Sequence, residues 1–254
     1  CVALAGATRR TVTLERVGDS WGFDVGALTA AITPRTKAIV INSPHNPTGW
    51  CFRPEDLMVI ARAAETHDLV VISDEVYEHL VFDGGAHRSI AGLAGMRDRT
   101  IVISSAGKTF SVTGWKIGWA CAPPNLISAL RTVKQFLTYV NGGPFQPAIA
   151  GVLDRAETLA PRAALQAQRD LLCDGLSALG LDVIRPEAAY FAIVDVGRSA
   201  VDYCRDLPHS AGVVAIPCSV FYDSRRGDHY VRFAFCKRPA VLDEALARME
   251  RVVR

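Results

Sequence analysis

Short apolar runs alternate with amphipathic stretches along this chain, and the alternation predicts a layered α/β fold. The runs are rich in valine and isoleucine and lie at Lys37–Asn42, Leu69–Ser73, Thr100–Ser104 and Ile117–Ala122. Continuous apolar strands are typical of a mostly parallel sheet whose two faces are covered by helices. A helix is predicted from Pro54 to His67, with proline at its first position. One face of it carries Leu57, Ile60, Ala61 and Ala64.

The pattern changes in the second half of the chain. A helix from Pro124 to about Tyr139 ends at a Gly-Gly-Pro turn, and a helical stretch then runs from Gln146 to Leu179, interrupted near Pro161. Short strands follow at Tyr190–Val194, Val213–Ile216 and Tyr230–Phe235, and Pro239 begins a final amphipathic helix. We predict a large α/β domain over residues 1–150, a linking helical stretch over 151–180 and a smaller α+β domain over 181–254.

The first eight residues, Cys1–Thr8, have the pattern of a strand and are not preceded by methionine. We therefore expect that an N-terminal portion is missing from this chain.

Composition narrows the possible partners and the cellular compartment. The formal net charge is only +2, so electrostatics gives no reason to expect binding to nucleic acid or to an anionic membrane. The apolar runs are far shorter than a membrane span. Seven scattered cysteines without a Cys-x-x-Cys pair indicate free thiols in a cytoplasmic protein. The histidines lack metal-ligand spacing, so no metal site is expected, and His45, His67, His79 and His87 are expected in solvated or capping roles.

Candidate chemistry lies where the predicted strands end, because ligands of open α/β sheets bind at the carboxyl ends of the strands. Asn46, Asp74 and Lys108 follow three of them. A lysine in a dry pocket can attack an aldehyde, and a buried aspartate can keep a pyridine nitrogen protonated. Taken singly, each residue also has a structural interpretation: a turn asparagine, a helix-capping aspartate and a solvated loop lysine.

Four sequence blocks, in this order, resemble the class I aminotransferases of fold type I, which depend on pyridoxal 5'-phosphate. They are Ser-Pro-His-Asn-Pro-Thr-Gly from Ser43, Ser-Asp-Glu-Val-Tyr from Ser73, Ser-Ser-Ala-Gly-Lys-Thr-Phe-Ser-Val-Thr-Gly-Trp-Lys-Ile-Gly-Trp from Ser104, and Val-Arg-Phe-Ala-Phe-Cys-Lys from Val231. Within that family they look most like the kynurenine and glutamine aminotransferases and the actinobacterial N-succinyldiaminopimelate aminotransferases.

The resemblance implies a role for each residue around the cofactor ring. Lys108 would hold the cofactor as a Schiff base and then move the proton between the substrate's α carbon and the cofactor. Asp74 would pair with the pyridinium nitrogen. Asn46 and Tyr77 would donate hydrogen bonds to the phenolate oxygen of the ring.

Phosphate and substrate contacts follow from the same resemblance. Ser105 and Lys116 would bind the phosphate, with lysine where many relatives have arginine. Arg232 would grip the substrate's α-carboxylate, together with Asn46. Relatives are homodimers, and the turn from Tyr139 to Gln146 would approach the partner's site.

Other functions remain open from the residues alone. The same residues could support β-elimination on cysteine S-conjugates, and an aminotransferase scaffold could serve as a non-catalytic binding protein. A nucleotide-dependent dehydrogenase is disfavoured because no Gly-x-Gly-x-x-Gly follows a predicted strand. The sequence does not distinguish among the amino donors of the related enzymes.

Overall fold

The first part of the chain forms small elements that the hydrophobic pattern did not predict. In this computed structural model, which describes residues Cys1–Val253, strands β1 (Leu14–Val17) and β2 (Ser20–Phe23) pair as an antiparallel hairpin. Helix α1 (Val25–Ala31) follows, and the side chain of Asp24 caps it by accepting a hydrogen bond from the Gly26 N–H at 2.7 Å.

The strand expected over Cys1–Thr8 is wrong. These residues contain a short 3₁₀ turn at Ala3–Ala5 and are exposed to solvent. Gly6 ends the turn with φ of 69°, in the left-handed region, which interrupts extended backbone. Alanine and glycine are also poor strand formers, so an apolar stretch built from them does not suffice for a strand.

The central sheet forms from the apolar runs at the positions predicted. Its order is β3 (Ala38–Asn42), β4 (Val70–Asp74), β5 (Thr100–Ser105) and β6 (Gly118–Cys121). The first three strands are parallel and β6 is antiparallel to β5, so the predicted mostly parallel sheet is confirmed. Asn42 is level with Asp74, and Asp74 with Ile103. The three parallel strands therefore end at the same edge of the sheet, where β5 extends to Ser105.

Helix α2 (Pro54–Thr66) makes the crossover from β3 to β4 and covers one face of the sheet. The face predicted from the sequence is the buried one: Leu57, Ile60, Ala61 and Ala64 pack with Ile41 and Val71 of the strands. Burying a leucine or isoleucine side chain contributes about 1.5–3 kcal/mol, so this helix face is a main source of the sheet's stability.

The helical stretch after β6 is more interrupted than predicted. Helix α4 (Pro124–Leu137) is followed by α5 (Phe145–Ala150), a 3₁₀ turn at Leu153–Arg155, α6 (Ala156–Leu159) and α7 (Arg162–Ala178). A single break near Pro161 was expected. The structure has a further break at Gly151–Val152, since glycine is a weak helix former.

A second sheet, entirely antiparallel, forms from the last third of the chain. Its order is β7 (Asp182–Ile184), β8 (Phe191–Asp195), β10 (Tyr230–Ala234) and β9 (Ile216–Pro217). Helices α8 (Ala200–Ser210) and α9 (Pro239–Val253) complete this part. The strand expected at Val213–Ile216 is reduced to β9, whose Pro217 has no N–H to extend the ladder.

One hydrophobic core joins this second sheet to the segment after β4. Leu176 of α7, Phe233 of β10 and Met249 of α9 belong to the same buried cluster as Tyr77 and Leu80. We keep the division into residues 1–150, 151–180 and 181–254 as a proposal. Among residues 1–253 no helix combines the length and apolar character that a bilayer crossing requires.

The turn after β3 packs closely against the segment between β7 and β8. Gly49 has φ of 69°, and a Cβ at this position would overlap the Pro186 side chain and lie 2.7 Å from the Ala188 carbonyl oxygen. The Gly49 carbonyl also accepts a hydrogen bond from the Glu187 N–H at 3.1 Å. This close approach depends on glycine.

We expect Gly49→Ala to destabilise the protein by about 2 kcal/mol more than Gly18→Ala, because it adds overpacking to the strain of positive φ. Gly18 is the matched control: its φ is 61°, and nothing lies within 4 Å of an added Cβ. Urea unfolding of both variants measures the difference. An equal loss of unfolding free energy in the two variants would show that the Pro186 side chain moves aside at no energetic cost.

Candidate active site

The carboxyl ends of three parallel strands bring the predicted residues to one edge of the central sheet. Asp74 is the last residue of β4, Asn46 lies four residues beyond β3, and Lys108 lies in the short helix α3 (Ala106–Thr109) that follows β5. The shared edge of these strands therefore brings an amide, a carboxylate and an amine to one region of the sheet.

Lys108 is held at the start of a tight strand-to-helix turn. The Ser105 hydroxyl caps α3 by accepting from the Gly107 N–H at 3.2 Å, and a Cβ on Gly107 would lie only 2.9 Å from the Thr113 Cα. The half-buried Lys108 side chain donates from Nζ to the Tyr190 Oη at 2.8 Å. Its Nζ lies 5.9 Å from the centroid of the Tyr77 ring.

Asp74 carries a carboxylate in a partly dry environment. Oδ1 accepts a hydrogen bond from the Val76 N–H at 3.3 Å. Burial raises the pKa of Asp74 above its ordinary value, and the hydrogen bond from Val76 and the charge of Lys108 oppose that shift without cancelling it. A cationic group placed against Asp74 would relieve this cost.

Tyr77 is buried, with 3% of its surface exposed, and meets Tyr190 edge-on at 5.2 Å between ring centroids. Burial and the neighbouring Tyr190 raise the pKa of the Tyr77 hydroxyl, while Arg232 acts in the opposite direction. Tyr77 therefore remains a phenol, able to donate a hydrogen bond, throughout the neutral pH range.

Asn46 and Arg232 are joined across the two sheets. Arg232 Nη1 donates to Asn46 Oδ1 at 2.9 Å. The guanidinium lies over the Phe191 ring, 4.0 Å from its centroid, and 5.1 Å from the centroid of Phe221. Two aromatic faces and one amide thus orient a cation beside the edge where Lys108 lies.

Lys116 is placed differently from the other predicted residues. It is exposed, with φ of 57°, and its carbonyl oxygen accepts from Asn141 Nδ2 at 2.6 Å. Within the described part of the chain, no hydrogen bond or ion pair joins its side chain to Asn46, Asp74, Tyr77 or Lys108. The phosphate-binding roles of Ser105 and Lys116 stay predictions.

Sequence reasoning missed two residues beside the site, Tyr190 and Phe191. They contact Lys108 and Arg232 respectively, yet they stand at the start of an apolar strand and far away in the sequence. Nothing local distinguishes such aromatic residues from ordinary strand residues; only the pairing of the two sheets does.

The expectation of a solvated or capping role is wrong for His87. Its Nε2 lies 2.7 Å from Oε2 of Glu75, which is buried, and its side chain is only 11% exposed. The Ser73 and Ser89 hydroxyls donate to the other oxygen of Glu75 at 2.7 and 2.8 Å. A buried carboxylate needs such partners, and they lie too far apart in sequence to be recognised.

His45 is also not a solvated residue. It lies in the turn after β3, where Nδ1 is 2.8 Å from the Thr48 hydroxyl. Burial lowers the pKa of His45 to about 4, so the imidazole is neutral at physiological pH. His67, in contrast, is the C-cap residue of α2, which is a capping position.

Comparison with known proteins identifies the family of this chain. The sequence pattern of the aminotransferase class I and II family matches residues 1–249. A probable N-succinyldiaminopimelate aminotransferase of Mycobacterium tuberculosis is 48% identical over 98% of this chain and 66% of its own length. Kynurenine–oxoglutarate transaminase 3 of Rattus norvegicus is 40% identical over 94% of this chain and 58% of its own.

The fold comparison agrees. The three-dimensional structure of the N-succinyldiaminopimelate aminotransferase from Mycobacterium tuberculosis superimposes with a TM-score of 0.94 at 48% identity, covering all of this chain and 67% of that one. The chain thus spans about two thirds or less of the length of these relatives.

We expect Asp74→Asn to stabilise the cofactor-free protein at pH 7, because asparagine removes the cost of a charged carboxylate whose pKa is raised on folding. The asparagine Oδ1 can still accept the Val76 hydrogen bond. The gain should vanish as the pH falls below both the folded and unfolded pKa of Asp74, where wild-type Asp74 is neutral in both states. Denaturant unfolding at pH 7 and near pH 3.5 checks this, and a lower stability of the variant at pH 7 would contradict it.

Proposed function

Since this chain belongs to the class I and II aminotransferase family, we propose that the whole protein moves an amino group from an amino acid to a 2-oxo acid with pyridoxal 5'-phosphate as cofactor. The observation that carries the proposal is the Lys108 amine at the edge where three parallel strands end, beside Asp74 and Tyr77. A reactive amine, a carboxylate and a phenol at one edge form the donor set that this cofactor requires.

The side chains fit that cofactor on chemical grounds. The carboxylate of Asp74 is partly desolvated, and in residues 1–253 its one hydrogen-bond donor is the Val76 N–H. It can therefore still pair with a protonated ring nitrogen. Lys108 offers a primary amine that bonds to an aldehyde. Tyr77 and Asn46 can donate to an oxygen on the ring.

When bound, the cofactor supplies an electron sink for the pair released at the substrate's α carbon. The residues of this chain do the rest. Lys108 would hold the cofactor through its amine and would move the α proton of the substrate as a general base. Asp74 would keep the ring nitrogen protonated, and Asn46 and Tyr77 would donate hydrogen bonds to the ring's phenolate oxygen.

Substrate and phosphate binding complete the proposed site. Arg232 is held by Asn46 and two aromatic rings, and its forked guanidinium suits a bidentate grip on an α-carboxylate. Ser105 and Lys116 are the proposed phosphate ligands of this chain. The Ser105 hydroxyl already caps α3, and it can still donate its own proton.

The amino donor we propose is an N-succinyldiaminopimelate-type substrate, with kynurenine or glutamine as the next candidates. The 48% identity to the probable N-succinyldiaminopimelate aminotransferase supports this order, against 40% for the kynurenine relative. Steady-state rates on a panel of these donors decide it. Absence of turnover with the succinylated donor would exclude it as the amino donor.

We also propose that the protein is a homodimer that works in the cytoplasm, where its seven free cysteines are stable as thiols. Helix α4 (Pro124–Leu137) supports the dimer: none of its residues is buried. Val133, Phe136 and Leu137 are 56, 80 and 78% exposed, and Tyr139 and Val140 continue the patch. A contiguous apolar surface of this kind is typical of an interface.

The proposed role of Lys108 can be tested through its covalent bond to the cofactor. Mixed with pyridoxal phosphate, the intact protein should show a visible absorption band that borohydride fixes as a mass increment on Lys108. Lys108→Ala should lack both the band and the increment and lose at least about 10³-fold in kcat, because the covalent anchor and the base are lost together. Lys37→Ala, at an exposed lysine, is the control. A normal band in Lys108→Ala would refute the assignment.

The proposed homodimer can be tested at the exposed apolar residues of α4. Phe136→Glu should weaken self-association at least about tenfold by placing a charge in an apolar interface, whereas Arg131→Glu, at a polar exposed position on the same helix, should change it less. Sedimentation equilibrium of the intact protein measures both. A monomeric mass for the wild type would count against the dimer.

A further inference from the structure

Tyr190 is the one hydrogen-bond acceptor of the Lys108 amine among residues 1–253. Lys108 Nζ donates to Tyr190 Oη at 2.8 Å, within the usual range for a charge-assisted bond. The two residues belong to different sheets: Lys108 follows β5, and Tyr190 stands immediately before β8. This bond therefore joins the central sheet to the second sheet at the candidate active site.

The surroundings of Tyr190 fix the position of its hydroxyl. Its ring packs edge-on against Tyr77 at 5.2 Å between centroids, and its carbonyl oxygen accepts from the Phe235 N–H at 3.1 Å. Because both ring and backbone are held, the hydroxyl is a fixed point and the flexible lysine side chain is the partner that adapts to it.

The next residue in the chain extends this connection to the substrate side. Phe191 packs against Tyr190 at 4.5 Å between ring centroids, and the Arg232 guanidinium lies over the Phe191 ring, 4.0 Å from its centroid. Two consecutive residues thus place the amine of Lys108 and the guanidinium of Arg232 relative to one another.

We propose that Tyr190 is a positioning residue for Lys108: its hydroxyl receives the lysine amine whenever that amine is not bonded to the cofactor. This rests on the proposed function. A lysine side chain has four rotatable bonds, and the amine must lie within reach of the substrate's α carbon when the proton moves. The hydroxyl accepts from the protonated amine and can donate to the neutral one, so it serves both protonation states.

A purely structural role of Tyr190 predicts a different effect of the substitution Tyr190→Phe. If the ring alone mattered, phenylalanine would replace Tyr190 without consequence, since the edge-on contact with Tyr77 needs no hydroxyl. Tyr190→Phe removes one oxygen atom and keeps the ring, so it tests the hydroxyl by itself. Tyr203→Phe is the matched control: the Tyr203 hydroxyl is buried and has no hydrogen-bond partner in the described part of the chain.

The first measurement is chemical and independent of turnover. The intact protein, freed of cofactor by dialysis, is labelled with a limiting amount of isotopic acetic anhydride at pH 8, and each lysine is quantified by mass spectrometry. Tyr190→Phe should raise labelling of Lys108 at least about threefold, because the amine loses a charge-assisted hydrogen bond. Lys37, which is exposed, should not change in either variant.

The second measurement separates positioning from binding. In the holoenzyme, Tyr190→Phe should lower kcat about tenfold and leave the KM of the amino donor within about twofold, since Arg232 and Asn46 keep their contacts. Tyr203→Phe should leave both parameters unchanged, and thermal unfolding should show that both variants are folded.

The outcomes are separable. Increased labelling of Lys108 with a selective loss of kcat supports the proposal, whereas unchanged labelling, or increased labelling with an unchanged kcat, overturns it. Should the wild-type protein form no absorption band with pyridoxal phosphate, the proposed function fails. In that case, increased labelling of Lys108 in Tyr190→Phe would still support the contact between Lys108 and Tyr190, and unchanged labelling would contradict it.

Discussion

Three parallel strands that end at the same edge of the central sheet determine where the candidate site of this protein lies. Because Asn42, Asp74 and Ile103 are level across β3, β4 and β5, the residues that follow them emerge at one edge of the sheet. The turn after β3 then contributes an amide, β4 its own terminal carboxylate, and α3 an amine. A shift of one residue in either pairing would turn side chains to the opposite face and disperse the group. The apolar face of α2 stabilises that register by covering the strands.

The second sheet contributes Arg232 to the candidate site. Gly49 lets the turn after β3 approach Pro186 closely, and this contact brings Arg232 within hydrogen-bond distance of Asn46. The resulting site is not arranged for maximal stability. Asp74 is a carboxylate whose pKa is raised by burial and which accepts one hydrogen bond, and such a group costs folding free energy until a cation faces it. Carboxylates whose pKa is shifted by burial are common at functional sites.

Local sequence patterns predicted the central sheet, because each of its strands is an uninterrupted apolar run bounded by turn residues. Three of the four motif blocks also contain Asn46, Asp74 and Lys108, which the same patterns placed at strand ends. The β1–β2 hairpin was not predicted, since its strands are short and half exposed and carry no continuous apolar run. Contacts between distant segments could not be predicted from the sequence, for a different reason. Tyr190 is separated from Lys108 by 82 positions, and His87 and Ser89 lie 12 and 14 positions from Glu75. Hydrophobic periodicity describes one element at a time and carries no information about which elements meet.

Glu75, directly after Asp74, is fixed by the Ser73 and Ser89 hydroxyls and by His87, while its N–H donates to the Ile103 carbonyl at 2.8 Å. Any substitution near the end of β4 must therefore preserve several buried hydrogen bonds at once. Around Arg232 the contacts are of another kind, since the rings of Phe191 and Phe221 hold the guanidinium without a hydrogen bond. A substitution at the end of β4 accordingly leaves buried donors or acceptors unpaired, whereas a substitution at Phe191 or Phe221 changes packing and the contact with Arg232 but unpairs no hydrogen bond.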